Sequence, residues 1–435
     1  MRNPPRSALF QEGVLGTASP HSWLITMNSP IASEITHLPK SQKTTLAHEF
    51  GHLLHYFTTY IGLSDLLHWA RALKILRESR PKEVSQEEHV TSQSRQLIAV
   101  ARQKQVLSID DFYYLERVGR MCELARTRAA PWLWRESTGG LFNVRGEVSD
   151  RRFWCLRFSL AQDGKEIPFV RIPLGLRTIL EHMAVAIDII SEQTHMTTAE
   201  FERYLSRLAD QAYIPEALHY YALTHRFSSL MSRMYGDGNL QWRFVACAYI
   251  ILLLADIPFD DPSTWSNIRN YAVRRVPDLG DHMTHPHPSF VFPVLLRALE
   301  ELAPSLNRLT SAKEFENNAN SLLSIMGLPT LDLILQHREA RANEVRQTLD
   351  EAEPSGAWSK LVTWMDSHEA GLSRAEKIAH PIKGLRQLPV PVYFSTSQKW
   401  WDGLIISYEQ SRHLADLDQR NNEMLRYPIA RDIVD

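Results

Sequence analysis

The residues best equipped for chemistry in this chain are His48-Glu49-Phe50-Gly51-His52. Two imidazoles four residues apart on an α-helix project from adjacent turns, because each residue advances the helix by about 100°. Together they can grip one metal ion. Glu49 follows the first imidazole directly, so it points beside that ion rather than at it. A carboxylate there can take a proton from a water that the metal activates. On a helical projection, His48, Glu49, His52, His55, Tyr56 and Thr59 fall in one arc, and Leu46, Phe50, Leu53, Leu54 and Phe57 fall in the opposite one. The segment thus separates an apolar face from a face able to bind metal or donate hydrogen bonds, as a site built on a rigid helix requires.

Thr45, Leu46 and Ala47 precede the motif, and Phe50, Gly51, Leu53 and Leu54 within and after it are uncharged. In these features the segment resembles the zincin metallopeptidases. The resemblance implies a Zn2+ cofactor, His48 and His52 as its ligands, and Glu49 as the catalytic base. A catalytic zinc takes a third protein ligand. Where metzincins place a third His this chain has Thr58, with no Gly before it, so that branch does not fit. Gluzincins take a Glu from a later helix, and the best match is Glu181. It is the one charge in a run containing Ile179, Leu180, Met183, Ala184 and Ile187, and the small Ala184 follows it as in the gluzincin pattern. A carboxylate in such a run is costly unless paired or metal-bound. Pairing with Arg177 is the alternative for Glu181, and His182, Asp188 and Glu192 are the alternative ligands. Asp188, two turns beyond Glu181, is also placed to orient His48 or His52. His55 is read as a cleft-lining or hydrogen-bonding group rather than a ligand.

The segment Asp281-His282-Met283-Thr284-His285-Pro286-His287-Pro288 resembles the His-Pro turn near the zinc of integral-membrane gluzincins. That resemblance would make His285 a catalytic donor to the developing oxyanion. Tyr56, Tyr60, Tyr220 and His225 are other candidate donors. Trp132, Trp134, Trp400 and Trp401 are read first as core or interface residues and second as substrate-binding aromatics.

These residues need a frame. The chain has 435 residues, 44% of them hydrophobic, enough for a large core and more than one ordinary domain. A net charge of −2 with no basic block argues against a nucleic-acid partner. The three cysteines, Cys122, Cys155 and Cys247, are scattered, which argues against a thiolate metal site or a disulfide framework. No signal-peptide core follows Met1, so a cytoplasmic location is expected. The apolar stretch 244–257 is too short to span a membrane and reads as a buried helix.

Periodicity predicts a short strand at 22–27 and a long helix at roughly 41–61 ended by Gly62. Helices follow at roughly 64–78, 86–105 and 109–128. Strands at 152–160 and 167–172 flank Asp163-Gly164, a hairpin signal. A helix is expected at roughly 175–192. Thr197 and Glu200 form a capping box for the next helix, at about 198–211. Mostly helical chain follows to about 380, with a loop at 353–356. Pro389–Phe394 reads as one more strand, confined to a sheet edge by its prolines.

The fold class is therefore α+β, mostly helical. A catalytic lobe, 1–258, sets the active-site helix beside a small mixed β-sheet built from the 22–27 strand and the 152–172 hairpin, and a mainly helical lobe covers 259–435. The expected activity is zinc-dependent hydrolysis of peptide bonds in a peptide or protein substrate. The competing readings are a zinc amidase acting on a small non-peptide molecule, and a non-catalytic helical interaction protein with a degenerate site. The intact Glu49 argues against the second, since a binding module needs no general base.

Overall fold

The computed structural model describes residues 16–19, 23–30, 32–78, 132–142, 148–162, 165–212, 214–215, 218–235, 240–302, 312–352, 356–367 and 388–416. The helices expected at 86–105 and 109–128 lie outside them. In chain order the elements are β1 (Gly16–Ser19), β2 (Leu24–Met27), α1 (Lys40–Thr58), α2 (Tyr60–Glu78), β3 (Trp132–Phe142), β4 (Val148–Gln162) and β5 (Lys165–Pro173). Then come α3 (Leu176–His195), α4 (Thr198–Gln211), α5 (Leu218–Tyr235), α6 (Leu240–Asp256), α7 (Pro262–Arg275), α8 (Val291–Glu301), α9 (Ala312–Ile325), α10 (Leu331–Ala352), α11 (Ala357–Ser367), β6 (Val392–Phe394) and β7 (Lys399–Trp401). The class is α+β and mostly helical.

A mixed sheet does lie beside α1, and it contains the expected strand at 22–27 but not the expected hairpin. Its order is β1-β2-β6-β7. β1 and β2 run antiparallel, β2 and β6 parallel, β6 and β7 antiparallel. The hairpin β4–β5 instead joins β3 in a separate antiparallel sheet, ordered β3-β4-β5. Gln162 pairs with Lys165, which fixes the two-residue connection that Asp163-Gly164 predicts. β6 is also interior rather than at an edge. Pro391 stands just before the paired residues and contributes its carbonyl, which accepts from the Ile25 N–H at 3.2 Å, so its missing N–H is not needed.

The long helix expected at 41–61 breaks at Thr59, whose backbone is extended (φ −95°, ψ 154°). The Thr59 hydroxyl donates to the His55 carbonyl at 2.7 Å and accepts from the Gly62 N–H at 3.2 Å. One side chain thereby caps the end of α1 and the start of α2. Gly62 does not end a helix but lies inside α2, where a Cβ would collide with the Tyr56 carbonyl, so the tight corner requires glycine. The Thr197–Glu200 capping box is present at the start of α4.

Leu46, Phe50, Leu53, Leu54 and Phe57 of α1 are buried, which fixes the orientation of its other face. Burying each such side chain is worth about 1.5–3 kcal/mol. α1 packs against α3, α2, α11 and the strands β1 and β2, while α3 packs in turn against α5 and the largely apolar α6. No helix among the described residues is long and apolar enough to cross a membrane. Segments from both sides of residue 258 share one hydrophobic core. β6 completes the sheet begun by β2, and α10 lies along α2 with ion pairs Arg71–Glu344 and Lys74–Glu351, each 2.6 Å. Arg338 of α10, itself buried, donates to the carbonyl of Thr58 at 3.0 Å and so caps the last turn of α1.

Candidate metal centre

The site forms where α1 crosses α3. Gly51 sits at the contact: a Cβ there would lie 2.8 Å from Ile187 Cδ1, so the glycine lets the two helices approach. The approach brings Glu181 of α3 to His52, with Oε2 3.4 Å from Nε2. The rings of His48 and His52 stand 4.9 Å apart and nearly perpendicular, at 88°. One ligand-type atom from each of His48, His52 and Glu181 lies within 4.8 Å of the other two. These three residues form a group able to hold a metal ion, as the sequence reading had it. Side-chain exposures of 12% for His52 and 15% for Glu181 leave the group partly screened from water yet reachable.

Glu181 and Asp188 are seven residues apart, about two helical turns, so they share a face of α3. Each meets one histidine of α1. Asp188 Oδ2 lies 2.8 Å from His48 Nδ1. In the neutral ring the carboxylate favours the tautomer whose Nδ1–H points toward Asp188, which leaves the Nε2 lone pair for a metal. Two imidazoles, one of them oriented by a carboxylate, and one carboxylate ligand are donors of the kind that a zinc ion takes. The residues present therefore fit the ion that the sequence suggests.

Electrostatics agree with that chemistry. Burial alone would lower the pKa of His48, but the charge and hydrogen bond of Asp188, with Glu49 and Glu181 nearby, hold it up at about 9. An imidazolium favoured by so many carboxylates marks a place where a cation is stabilised. The pKa of Glu49 is raised, first by burial and also by Glu181 and Asp188, against the opposing pull of His52 and His48. A base whose pKa is moved upward toward neutrality both accepts and returns a proton more readily.

The structure assigns other work to several candidates. His182 is fully engaged: its Nε2 accepts from the Leu223 N–H at 3.0 Å, and its Nδ1 lies 2.7 Å from the Thr178 carbonyl. It ties α3 to α5 and has no nitrogen to offer a metal. His55 is completely buried. The Tyr56 hydroxyl donates to Asp65 at 2.7 Å. Tyr60 donates to Asp260 at 2.5 Å and accepts from Arg341 at 2.7 Å. His225 Nε2 lies 2.7 Å from the Ala212 carbonyl. Tyr220 is half-buried, its ring 6.5 Å from that of Tyr221. Glu192 lies on α3 within electrostatic reach of Tyr204.

His285 is half-buried, 3.3 Å from the Thr284 hydroxyl, with its ring 5.8 Å from that of His287. It is not a member of the His48–His52–Glu181 group. The turn that carries it is pinned to β4, because the Ser289 hydroxyl accepts from the Trp154 N–H at 2.9 Å and bonds His287 Nδ1 at 2.6 Å. Trp401 donates to the Ala32 carbonyl and packs edge-on to Phe394, whereas Trp400 is 43% exposed.

Two residues near the site have no sequence signal. Tyr204 and Tyr221 both feel the charge of Asp188, and burial together with that charge raises both phenols, keeping them protonated. They come from α4 and α5, and only the packing of those helices on α3 brings them to Asp188. Comparison of the chain with protein-family models, with curated proteins and with solved structures finds no match in any of the three.

Proposed function

We propose that the protein is a zinc-dependent hydrolase of peptide bonds, with His48, His52 and Glu181 as metal ligands and Glu49 as general base. The observation that carries the reading is the convergence of those three donors within 4.8 Å of one another, with Glu49 directly after the first. A zinc ion bound there would polarise a carbonyl oxygen and acidify a water molecule.

The chain's own groups do the rest. Asp188 holds His48 in the tautomer that presents Nε2. Glu49, 7% exposed, is screened from bulk water and keeps its carboxylate beside the ligands. It takes one proton from the attacking water and delivers it to the nitrogen of the departing amine. Tyr204 and Tyr221, held protonated by burial and by the charge of Asp188, add no further negative charge around that carboxylate. Among the described residues β1 ends the mixed sheet that packs on α1, and an extended peptide added to that edge would run past the helix that carries the metal-binding residues.

The test is hydrolysis of a mixed peptide library by zinc-loaded protein, with products read by mass spectrometry. Wild type is expected to cleave, and Glu49→Gln to retain the metal while losing at least about a hundredfold in rate. Equal cleavage by the two proteins would overturn the reading. Cleavage by neither, with small amides hydrolysed instead, would move the substrate class to non-peptide amides.

A further inference from the structure

His68 lies on α2 one turn before Arg71, which pairs with Glu344 of α10 at 2.6 Å. It is 8% exposed, and among the described residues its Nδ1 is buried without a hydrogen-bond partner. Buried polar atoms are nearly always hydrogen-bonded, so this ring is an exception that the fold tolerates at a cost.

The surroundings of the ring suit only its neutral form. α2 packs against α10, α1 and α6. The charged groups acting on the ring are Asp65 and Arg71 from α2, Arg341 from α10, and Asp260 from the segment between α6 and α7. α10 also brings the buried Arg338, α1 brings the buried His55 and Tyr56, and α6 ends in the buried Asp256. The two carboxylates that act on the ring are already engaged. Asp65 accepts from the Tyr56 hydroxyl at 2.7 Å. Asp260 accepts from Tyr60 at 2.5 Å and pairs with Arg341 at 3.2 Å. The guanidiniums of Arg71 and Arg341 repel a proton on the ring. Burial above all, with those two cations, holds the His68 pKa below its usual 6.5 against the pull of Asp65 and Asp260.

The nearest helical neighbour able to pair with an imidazolium is Asp65, three residues earlier on α2. Its present partner, Tyr56, stands one turn beyond His52, so the Tyr56–Asp65 bond ties α1 to α2 beside the corner at Thr59. We propose that His68 is an acid-sensitive latch of this junction. With the ring neutral, α1, α2 and α10 stay closed on one another. A proton on the ring draws Asp65 away from the Tyr56 hydroxyl and loosens the corner. The proposal concerns the fold, and it stands whether or not the site on α1 binds zinc.

Hydrogen exchange read by mass spectrometry on the full-length protein follows the corner directly. The amides of Thr59, Gly62 and Leu63 bond to the His55 carbonyl, the Thr59 hydroxyl and the Thr59 carbonyl. Corrected for intrinsic exchange, their protection should fall at least about fivefold from pH 7.5 to 5.5 in wild type and hold in His68→Gln. Undiminished protection in wild type would overturn the proposal with no variant needed. Urea unfolding gives a second reading. A histidine whose folded pKa lies below its unfolded one binds more protons when unfolded, so stability is lost as pH falls below about 6.5. The unfolding constant of wild type relative to His68→Gln should therefore rise by up to about tenfold per pH unit below 6.5, and stay level above about 7. A ratio that is level across pH 5–7.5, or that falls toward acid, would overturn the proposal. Tyr56→Phe removes the hydroxyl that competes for Asp65, so the acid loss should shrink. An undiminished acid loss in that variant would overturn the route through Asp65 and the latch with it.

Discussion

Replacing Asp188 with Asn leaves the shape of the site and removes one charge, and its effect on metal binding should depend on pH in a particular way. The 2.8 Å contact to His48 Nδ1 does two things. It orients the ring and raises its basicity as a ligand, and losing such a partner weakens metal binding by about 10–100-fold. It also helps hold the His48 pKa at about 9, against burial, which lowers it. A metal needs the neutral ring, so at every pH below about 9 it must displace a proton. Apparent affinity in wild type should therefore climb about tenfold per pH unit from 7 to 9, and the proton penalty at pH 7 is about a hundredfold. In Asp188→Asn burial prevails, the His48 pKa falls toward or below its ordinary 6.5, and that penalty disappears at neutral pH. The two effects have opposite signs at pH 7 and only the first survives at pH 9. The variant should bind zinc about 10–100-fold more weakly than wild type at pH 9, and as tightly or more tightly at pH 7. The assay is competition with a chromophoric chelator of known pH dependence, run across pH 6.5–9. A gap between the two proteins that is the same at every pH would refute the assigned role of Asp188.

Other consequences can be checked directly. Gly51→Val places a branched side chain where even a Cβ would stand 2.8 Å from Ile187; it should cost about 1–3 kcal/mol in denaturant stability and weaken metal binding by separating α1 from α3. Arg338→Ala leaves the Thr58 carbonyl at the end of α1 without its buried cationic donor and should lower stability by about 1–3 kcal/mol, measured by urea unfolding, with Arg338→Lys recovering part of the loss. His182→Asn, by contrast, should loosen the α3–α5 junction, where His182 accepts from Leu223 N–H. It should lower the melting temperature while leaving metal stoichiometry at one per chain.

The sequence makes the metal site more legible than the fold around it. His48, Glu49 and His52 follow from the helical period alone, because their geometry is local to α1. Glu181 is visible as a charge out of place in an apolar run, and Asp188 by its two-turn spacing from Glu181. The groups supplied by packing are not visible. Tyr204 and Tyr221 come within electrostatic range of Asp188 only through helices that no short-range pattern docks together. His182 resembles a ligand in sequence and is a structural tie in space, because the Leu223 N–H that it accepts from is 41 positions away. The same distance problem governs the sheets. β2 pairs with β6 across most of the chain, while the hairpin finds β3 instead of β2. The break at Thr59 was masked by Gly62, which signals a helix end in sequence but serves the close approach of two helices in space.

The central claim is that His48, His52 and Glu181 hold one zinc ion. The most direct measurement is zinc per chain by elemental analysis, on wild type and on Glu181→Ala purified in parallel without chelator. The expected result is about one zinc in wild type and much less in the variant, as a three-ligand site requires. No zinc in either protein would contradict the claim outright, and full zinc in both would remove Glu181 from the ligand set.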